Sequence, residues 1–274
     1  MSRDPWIERK DVIRTQLALQ VDLSFRAHHR FMLGYGLDQC KSVIDIGTGN
    51  GLFLEKIARK HPEIKFQGID SKSHMIDEAK SRDAKNINWV QADALDESVK
   101  TILGAADGVL MRYTVLHLPN TSDSLPRIFR RVRRGTFLWI FDLDTDYCIC
   151  EPVHHAYTSF YRLLRSFCER NAVEIRTASI LPPILERTGF QVREILVEPF
   201  NNREVDPNRF AEYLLREAAL YHYFLKGTHS SKELLDLESF LFHEMNRDTY
   251  FVQYGMVMIG ATRLSTDSRR GRKQ

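Results

Sequence analysis

The sequence predicts a doubly wound α/β domain built on a mostly parallel sheet. Three observations carry this. Short apolar, β-branched runs alternate with helix-length segments from residue 42 to residue 143. The first of those runs ends in a glycine cluster at the entry to a helix. The 274 residues, 43% of them hydrophobic, are enough for a full core near the upper size limit of one domain.

The elements follow in chain order. Residues 6–33 read as a helix, with Ile13, Leu17, Val21 and Phe25 at four-residue intervals. Ser42–Ile46 is a strand and Leu52–Lys60 a helix. The unit repeats with Ile64–Ile69 as strand, Ser73–Arg82 as helix and Ile87–Gln91 as strand. Gly108–Arg112 (strand), Ser122–Arg133 (helix) and Thr136–Leu143 (strand) continue it. After Asp146 the rhythm breaks. Val153–Arg170 is a long amphipathic helix, Ile180–Thr188 a second one stopped by Gly189, and Phe190–Glu198 a strand. Helices over Pro207–Leu225 and Lys232–Met245 precede a closing strand, Tyr250–Arg263. The expected organisation is a single domain over 1–264. It includes an N-terminal helical lid over 1–36, helical insertions over 147–189 and 203–247, and a basic, disordered tail over 265–274.

Bulk properties narrow the function classes. A net charge of +3, part of it in the last ten residues, gives weak support for a nucleic-acid partner. Cys40, Cys148, Cys150 and Cys168 contain no CxxC pair, so neither a zinc site nor a disulfide framework is indicated. The charged opening MSRDPWIERKD is unlike a signal peptide, and no apolar run approaches the roughly 18 residues of a membrane span. A soluble cytoplasmic protein is expected; a homodimer is left open.

The segment Val43-Ile44-Asp45-Ile46-Gly47-Thr48-Gly49-Asn50-Gly51-Leu52 is the most informative. Glycine at a sharp strand-to-helix turn permits positive φ and lets a ligand approach a backbone without side chains. A dinucleotide fingerprint, G-x-G-x-x-G from Gly47, would require glycine where Leu52 stands. The pattern is instead D-x-G-x-G-x-G, with an acid just ahead of the loop, which suits a ligand carrying a positive amino group.

On Asp45, Gly47, Gly49 and Gly51 the chain resembles the class I S-adenosylmethionine-dependent methyltransferases, and the resemblance covers residues 40 to 145. It implies a Rossmann-like seven-stranded sheet of order 3-2-1-4-5-7-6, the last strand antiparallel, with S-adenosyl-L-methionine as cofactor. It implies that Asp45, Gly47, Thr48, Gly49 and Gly51 cradle the amino-acid end. Asp70, 19 residues beyond Gly51, with Ser71 beside it, would take the ribose hydroxyls. Met75 would lie beside the adenine, unless it simply packs in the core, and Asp93 and Ala94 would meet the adenine edge. Arg112 opens the exit loop of the fourth strand, the segment that lies near the transferred methyl in relatives. Arg26 suits the methionine carboxylate or, equally, solvent.

Methyl transfer asks the protein mainly to align an acceptor with the S–CH3 bond, which can supply roughly 7–11 kcal/mol of the barrier. A protonated acceptor also needs a base, for which His117 is the candidate, its alternative being a packed or capping histidine. His154, Tyr157, Tyr161, Tyr221 and His222 are candidates for a partly apolar small-molecule acceptor, although Phe210, Leu214, Ala218 and Tyr221 also form a plain packing stripe. Asp142, Asp144 and Asp146 alternate at a strand exit, but the second acid cluster that a metal would want is missing, so no metal is expected. Arg130, Arg131, Arg133 and Arg134 keep an RNA acceptor as the alternative, with a protein acceptor or a non-catalytic cofactor-binding role behind it. Arginines ending a helix also complement its dipole. The leading expectation is a methyltransferase acting at O or N of a small molecule.

Overall fold

The structure is a computed structural model that describes residues 10–171, 173–224, 231–245 and 249–264. The chain divides into two compact units. One comprises Phe25–Asp142, Thr177–Leu196 and the described part of Val257–Gln274. The other comprises the described parts of Met1–Ser24, Leu143–Arg176 and Val197–Met256.

The first unit holds the sheet. Strands β1 (Ser42–Ile46), β2 (Lys65–Asp70), β3 (Ile87–Gln91), β4 (Gly108–Arg112), β5 (Phe137–Leu143), β7 (Phe190–Val197) and β9 (Met256–Arg263) form it in the order β3-β2-β1-β4-β5-β9-β7. β1 through β5 pair in parallel, and β9 enters antiparallel between β5 and β7. This is the doubly wound, Rossmann-like seven-stranded sheet that the alternation of runs and the family resemblance imply. Val43, Ile44, Ile46, Ile69, Val109, Leu110, Met111 and Leu138 through Phe141 are all buried, as strands covered on both faces require.

Register decides where a ligand can sit. Ile46 pairs with Ile69 and with Met111, and Asp70 pairs with Gln91, so the C-terminal ends of β1 to β4 stand nearly level. The connections leave β1 toward β2 on one side and reach β4 on the other, which opens a crevice at the β1/β4 switch point.

Helices α1 (Lys10–Gly34), α2 (Leu52–Lys60), α3 (Ser73–Lys80), α4 (Lys100–Ala105), α5 (Thr121–Phe129), α6 (His155–Arg170), α7 (Thr177–Arg187), α8 (Pro207–Phe224) and α9 (Ser231–Ser239) complete the described elements, and a π-helical turn, Phe240–Glu244, follows α9. Phe210, Leu214 and Ala218 are buried along α8, the packing face of its stripe. In the same unit Glu217 accepts the Gln16 amide at 2.8 Å.

Two details depart from the sequence expectation. The helix α4 is absent from the predicted pattern. The single closing strand expected over 250–263 is two strands: β8 (Phe251–Gln253) pairs antiparallel with β6 (Ile149–Glu151) in a separate two-stranded sheet, and only β9 joins the large one. The break falls at Tyr254-Gly255, where the Gly255 carbonyl accepts the Asp144 N–H at 2.7 Å. A side chain at Gly255 would collide with the Asp144 backbone, so this close approach requires glycine.

Candidate active site

The crevice is built by loops that leave the level strand ends. Gly47, Gly49 and Gly51 all have positive φ, at 73°, 58° and 75°. Their surroundings differ. A Cβ on Gly51 would lie 2.5 Å from the Trp89 ring, so this position serves packing. A Cβ on Gly49 would meet nothing within 4 Å, so this position faces open space, as a ligand cradle would. The Gly47 and Thr48 N–H groups both bond Ile69 O, at 2.8 and 3.0 Å, which fastens the loop across β2.

Asp45, at the buried end of β1, accepts the Thr48 hydroxyl on Oδ2 at 2.8 Å, while its Oδ1 is buried without a hydrogen-bond partner. Burial pushes the Asp45 carboxyl up to about 7, against the Thr48 hydrogen bond and the Arg112 guanidinium, and the Asp70 charge adds to the rise. A buried carboxylate oxygen with an open lone pair calls for a cationic donor. The residues present therefore fit the ammonium end of an amino-acid-bearing nucleoside.

Asp70, at the end of β2, takes the Gly49 N–H on Oδ2 and the Lys72 N–H on Oδ1, both at 2.9 Å. Partial burial raises its pKa, and the two backbone bonds with the His74 and Lys72 charges hold it down. Ser71 is exposed at the same turn and Met75 is buried on α3. Asp93, past β3, is exposed and folds its carboxylate onto the Leu95 N–H at 2.8 Å, while Ala94 is buried with its carbonyl on Arg131 at 3.0 Å.

At the end of β4, the Arg112 guanidinium lies over the Phe53 and Tyr113 rings, 4.7 and 4.8 Å from their centroids. Its Nε donates to His28 Nδ1 at 3.3 Å, and the His28 ring stacks on Phe141 at 4.1 Å. Tyr113 has φ of 52°, unusual for a bulky side chain and characteristic of functional turns. Arg26 stands exposed on α1, two residues and so roughly 200° around the helix from buried His28. The crevice thus gathers Asp45, the glycines, Asp70 and Arg112, while Arg26 faces solvent.

His117 ends a short 3-10 turn, Val115–His117, whose Val115 N–H bonds the buried Asp142 carboxylate at 2.7 Å. The residue as a whole is exposed, while its imidazole is set among protein. The surrounding protein and then the Lys72 charge both lower its pKa. A lowered pKa leaves His117 neutral at pH 7.

The candidate acceptor residues belong to the other unit. His154 caps α6 by accepting the Ala156 N–H at 3.3 Å and stacks on Phe240 at 3.9 Å. Tyr157 is buried and donates to Gln253 O at 2.6 Å, and Tyr161 packs 4.8 Å from it. Burial, first of all, raises the pKa of Tyr161, and the neighbouring Tyr157, Cys148 and Tyr221 add to this. Tyr221 thus joins that cluster. The side chain of His222 lies outside the described residues. Asp144 accepts the Asp146 N–H at 3.0 Å and Asp146 pairs with Arg165 at 3.0 Å. Among the described residues no group of three or more His, Cys, Asp or Glu side chains could hold a metal ion, and no helix is long and apolar enough to cross a membrane.

His28 and Asp142 escape the motif reading. His28 continues the inward-facing helical spacing Val21, Phe25, His28, Met32, and that register is the signal that could have found it. Asp142 carries no such signal beyond alternation.

Strand order and an acid–glycine crevice at the switch point are what the resemblance to class I S-adenosylmethionine-dependent methyltransferases implies. Comparison agrees: residues 43–136 match the family model described as a methyltransferase domain. The chain is 31% identical over 108 residues to methyltransferase str3 of Strobilurus tenacellus, covering 39% of this chain and 37% of that one. It is 29% identical over 134 residues to a tRNA (guanine-N(7)-)-methyltransferase of Halalkalibacterium halodurans, covering 48% and 57%. It is 26% identical over 117 residues to a trans-aconitate 2-methyltransferase of Azoarcus sp., covering 42% and 44%. The matches therefore span about half or less of these relatives. The solved plantazolicin methyltransferase BpumL, in complex with a triazolic desmethylPZN analog and SAH, shares the fold at a TM-score of 0.56 and 15% identity, over 94% of this chain and 92% of that one. Over residues 43–136 the chain thus matches a methyltransferase domain, and these likenesses indicate a class I S-adenosylmethionine-dependent methyltransferase.

Proposed function

We propose that the protein transfers a methyl group from S-adenosylmethionine to an oxygen or nitrogen of a small-molecule acceptor. The observation that carries this reading is the unpartnered, buried Oδ1 of Asp45 beside a glycine loop whose Gly49 Cβ side is open. Asp45 would hold the α-ammonium, Asp70 and Ser71 the ribose, and Met75, Asp93 and Ala94 the adenine. Arg112, aligned by His28, is the cation for the carboxylate. The bound cofactor supplies an activated methyl group. Neutral His117, on a turn pinned by Asp142, would take the acceptor's proton.

Small-molecule relatives, the trans-aconitate and plantazolicin enzymes, favour this acceptor class. The tRNA relative favours a second reading, an RNA acceptor. Within the helical unit, Tyr157, Tyr161 and Tyr221 form one cluster, and they are the residues to vary for acceptor choice.

Calorimetry with S-adenosylmethionine and S-adenosylhomocysteine tests the crevice, and absence of binding by both would falsify the reading. Transfer of labelled methyl into a metabolite extract, with RNA and protein inert, is the expected outcome. Label appearing in RNA alone selects the second reading.

A further inference from the structure

The basic run Arg130, Arg131, Arg133 and Arg134 is not one surface. Arg131 is spent on the Ala94, Leu95 and Asp96 carbonyls and Glu97. Arg133 is spent on the Ala106 carbonyl and Asp107. Arg130 and Arg134 instead turn to a hollow of about 140 Å³, lined with them by Arg187, Thr188, Gly189, Arg263 and Leu264. No acidic side chain lines it.

This hollow lies at the far end of the sheet from the glycine crevice. Arg263 ends antiparallel β9, and its backbone bonds Gly135 and Thr136, just ahead of β5, at 2.8 and 2.9 Å. The crevice stands at the opposite, C-terminal ends of the parallel strands.

Helix dipoles do not account for the charge. The C-termini of α5 and α7 bring roughly −0.5 each, about −1 together. Four guanidinium groups leave an excess of about +3. Arg130, Arg134 and Arg187 are exposed and form no ion pair among the described residues. Arg263 is held in place by the Phe129 carbonyl at 2.5 Å and lies over the Phe190 ring. Burial, and then the nearby Arg134 charge, lower its pKa, so like charges crowd here without a counterion.

We propose that this hollow is a binding site for a compact oligophosphate group, separate from the methyl-transfer crevice. Guanidinium forks match phosphoryl oxygens bidentately. A pyrophosphate-like charge of about −3 balances the excess, whereas a single carboxylate leaves most of it uncompensated. The volume is below the roughly 300 Å³ of pockets that enclose whole drug-sized ligands, so the phosphates enter and the rest of the ligand stays outside.

The test is calorimetry on the full chain with sodium pyrophosphate at fixed ionic strength, against the double variant Arg134→Ala/Arg187→Ala. Saturable one-to-one binding, weakened at least tenfold in the variant, is expected. An unchanged thermal unfolding midpoint shows that the variant is folded, and neither readout depends on the methyltransferase reading. No saturable binding by the wild-type chain, or equal binding by the variant, overturns the site. A single-stranded RNA arm distinguishes the source of the phosphate. RNA that needs the same two arginines and binds more than tenfold tighter than pyrophosphate overturns the compact ligand in favour of nucleic acid. RNA that binds more weakly, or indifferently to the variant, supports it.

Discussion

Asp70 and Gly49 are joined by a 2.9 Å hydrogen bond, from the backbone N–H of the glycine loop to a carboxylate oxygen at the end of β2. One side chain thus sets the loop that would cradle the amino-acid end and stands where the ribose would hang. Asp70→Ala should lose charge-assisted bonds worth about 1.5–3 kcal/mol, or roughly 10- to 100-fold in S-adenosylhomocysteine affinity. Calorimetry decides it, and an unchanged dissociation constant would contradict the ribose role.

Asp45 should make cofactor affinity depend on pH. Its carboxyl stands at about 7 in the folded chain without ligand. An ammonium partner favours the carboxylate, so binding should tighten from pH 6 to pH 7.5 with release of a proton, and Asp45→Asn should abolish that slope. Stability runs the other way. Between the ordinary value of 3.8 and about 7 the folded chain holds a proton that the unfolded chain has lost, so stability falls as pH rises across that window and levels off above it. Urea titrations of the wild type and Asp45→Asn at pH 5 and pH 8 measure the difference.

The Arg112 charge favours ionised Asp45. Arg112→Met should therefore shift the midpoint of the affinity–pH curve upward as well as weaken binding. His28→Leu, which keeps the charge but removes the Nδ1 acceptor, should weaken binding with little movement of that midpoint. A midpoint shift in His28→Leu and none in Arg112→Met would reverse these roles.

The glycines of the loop should separate in their effects. Gly51→Ala meets Trp89 at 2.5 Å in a positive-φ position, so it should destabilise the fold by more than the roughly 1–2 kcal/mol of backbone strain alone. Gly49→Ala bears only the strain but places a methyl group in the open side, so cofactor affinity should fall more than stability does. Thermal unfolding set beside calorimetry for both variants checks the contrast.

His117→Ala should lower turnover with cofactor affinity nearly intact. Since the imidazole pKa is lowered, the acid limb of the wild-type kcat/KM profile should fall below the ordinary histidine value of about 6.5. Turnover that persists in the variant removes His117 as the base.

Much of the sheet is legible before any coordinates. Periodicities from 42 to 143 locate β1 through β5 because buried parallel strands are short apolar runs bounded by turns, and the D-x-G-x-G-x-G spacing marks the turn that needs positive φ. The closing segment was less readable. Residues 250–261 are apolar apart from Gln253 and the glycines, too slight a break to announce that β8 and β9 join different sheets; that division depends on the Asp144 backbone meeting Gly255.

Local order along the chain determined which residues end strands, and so brought Asp45, Asp70 and Arg112 to neighbouring loops, since strand ends in a parallel sheet are neighbours by topology. Only the tertiary structure decided what each side chain faces. It left Asp45 Oδ1 without a partner, turned Arg26 to solvent and His28 onto Arg112, and divided four consecutive-looking arginines between carbonyl contacts and a charged hollow. Pairings between residues tens of positions apart depend on how elements pack, and no periodicity within one segment encodes that.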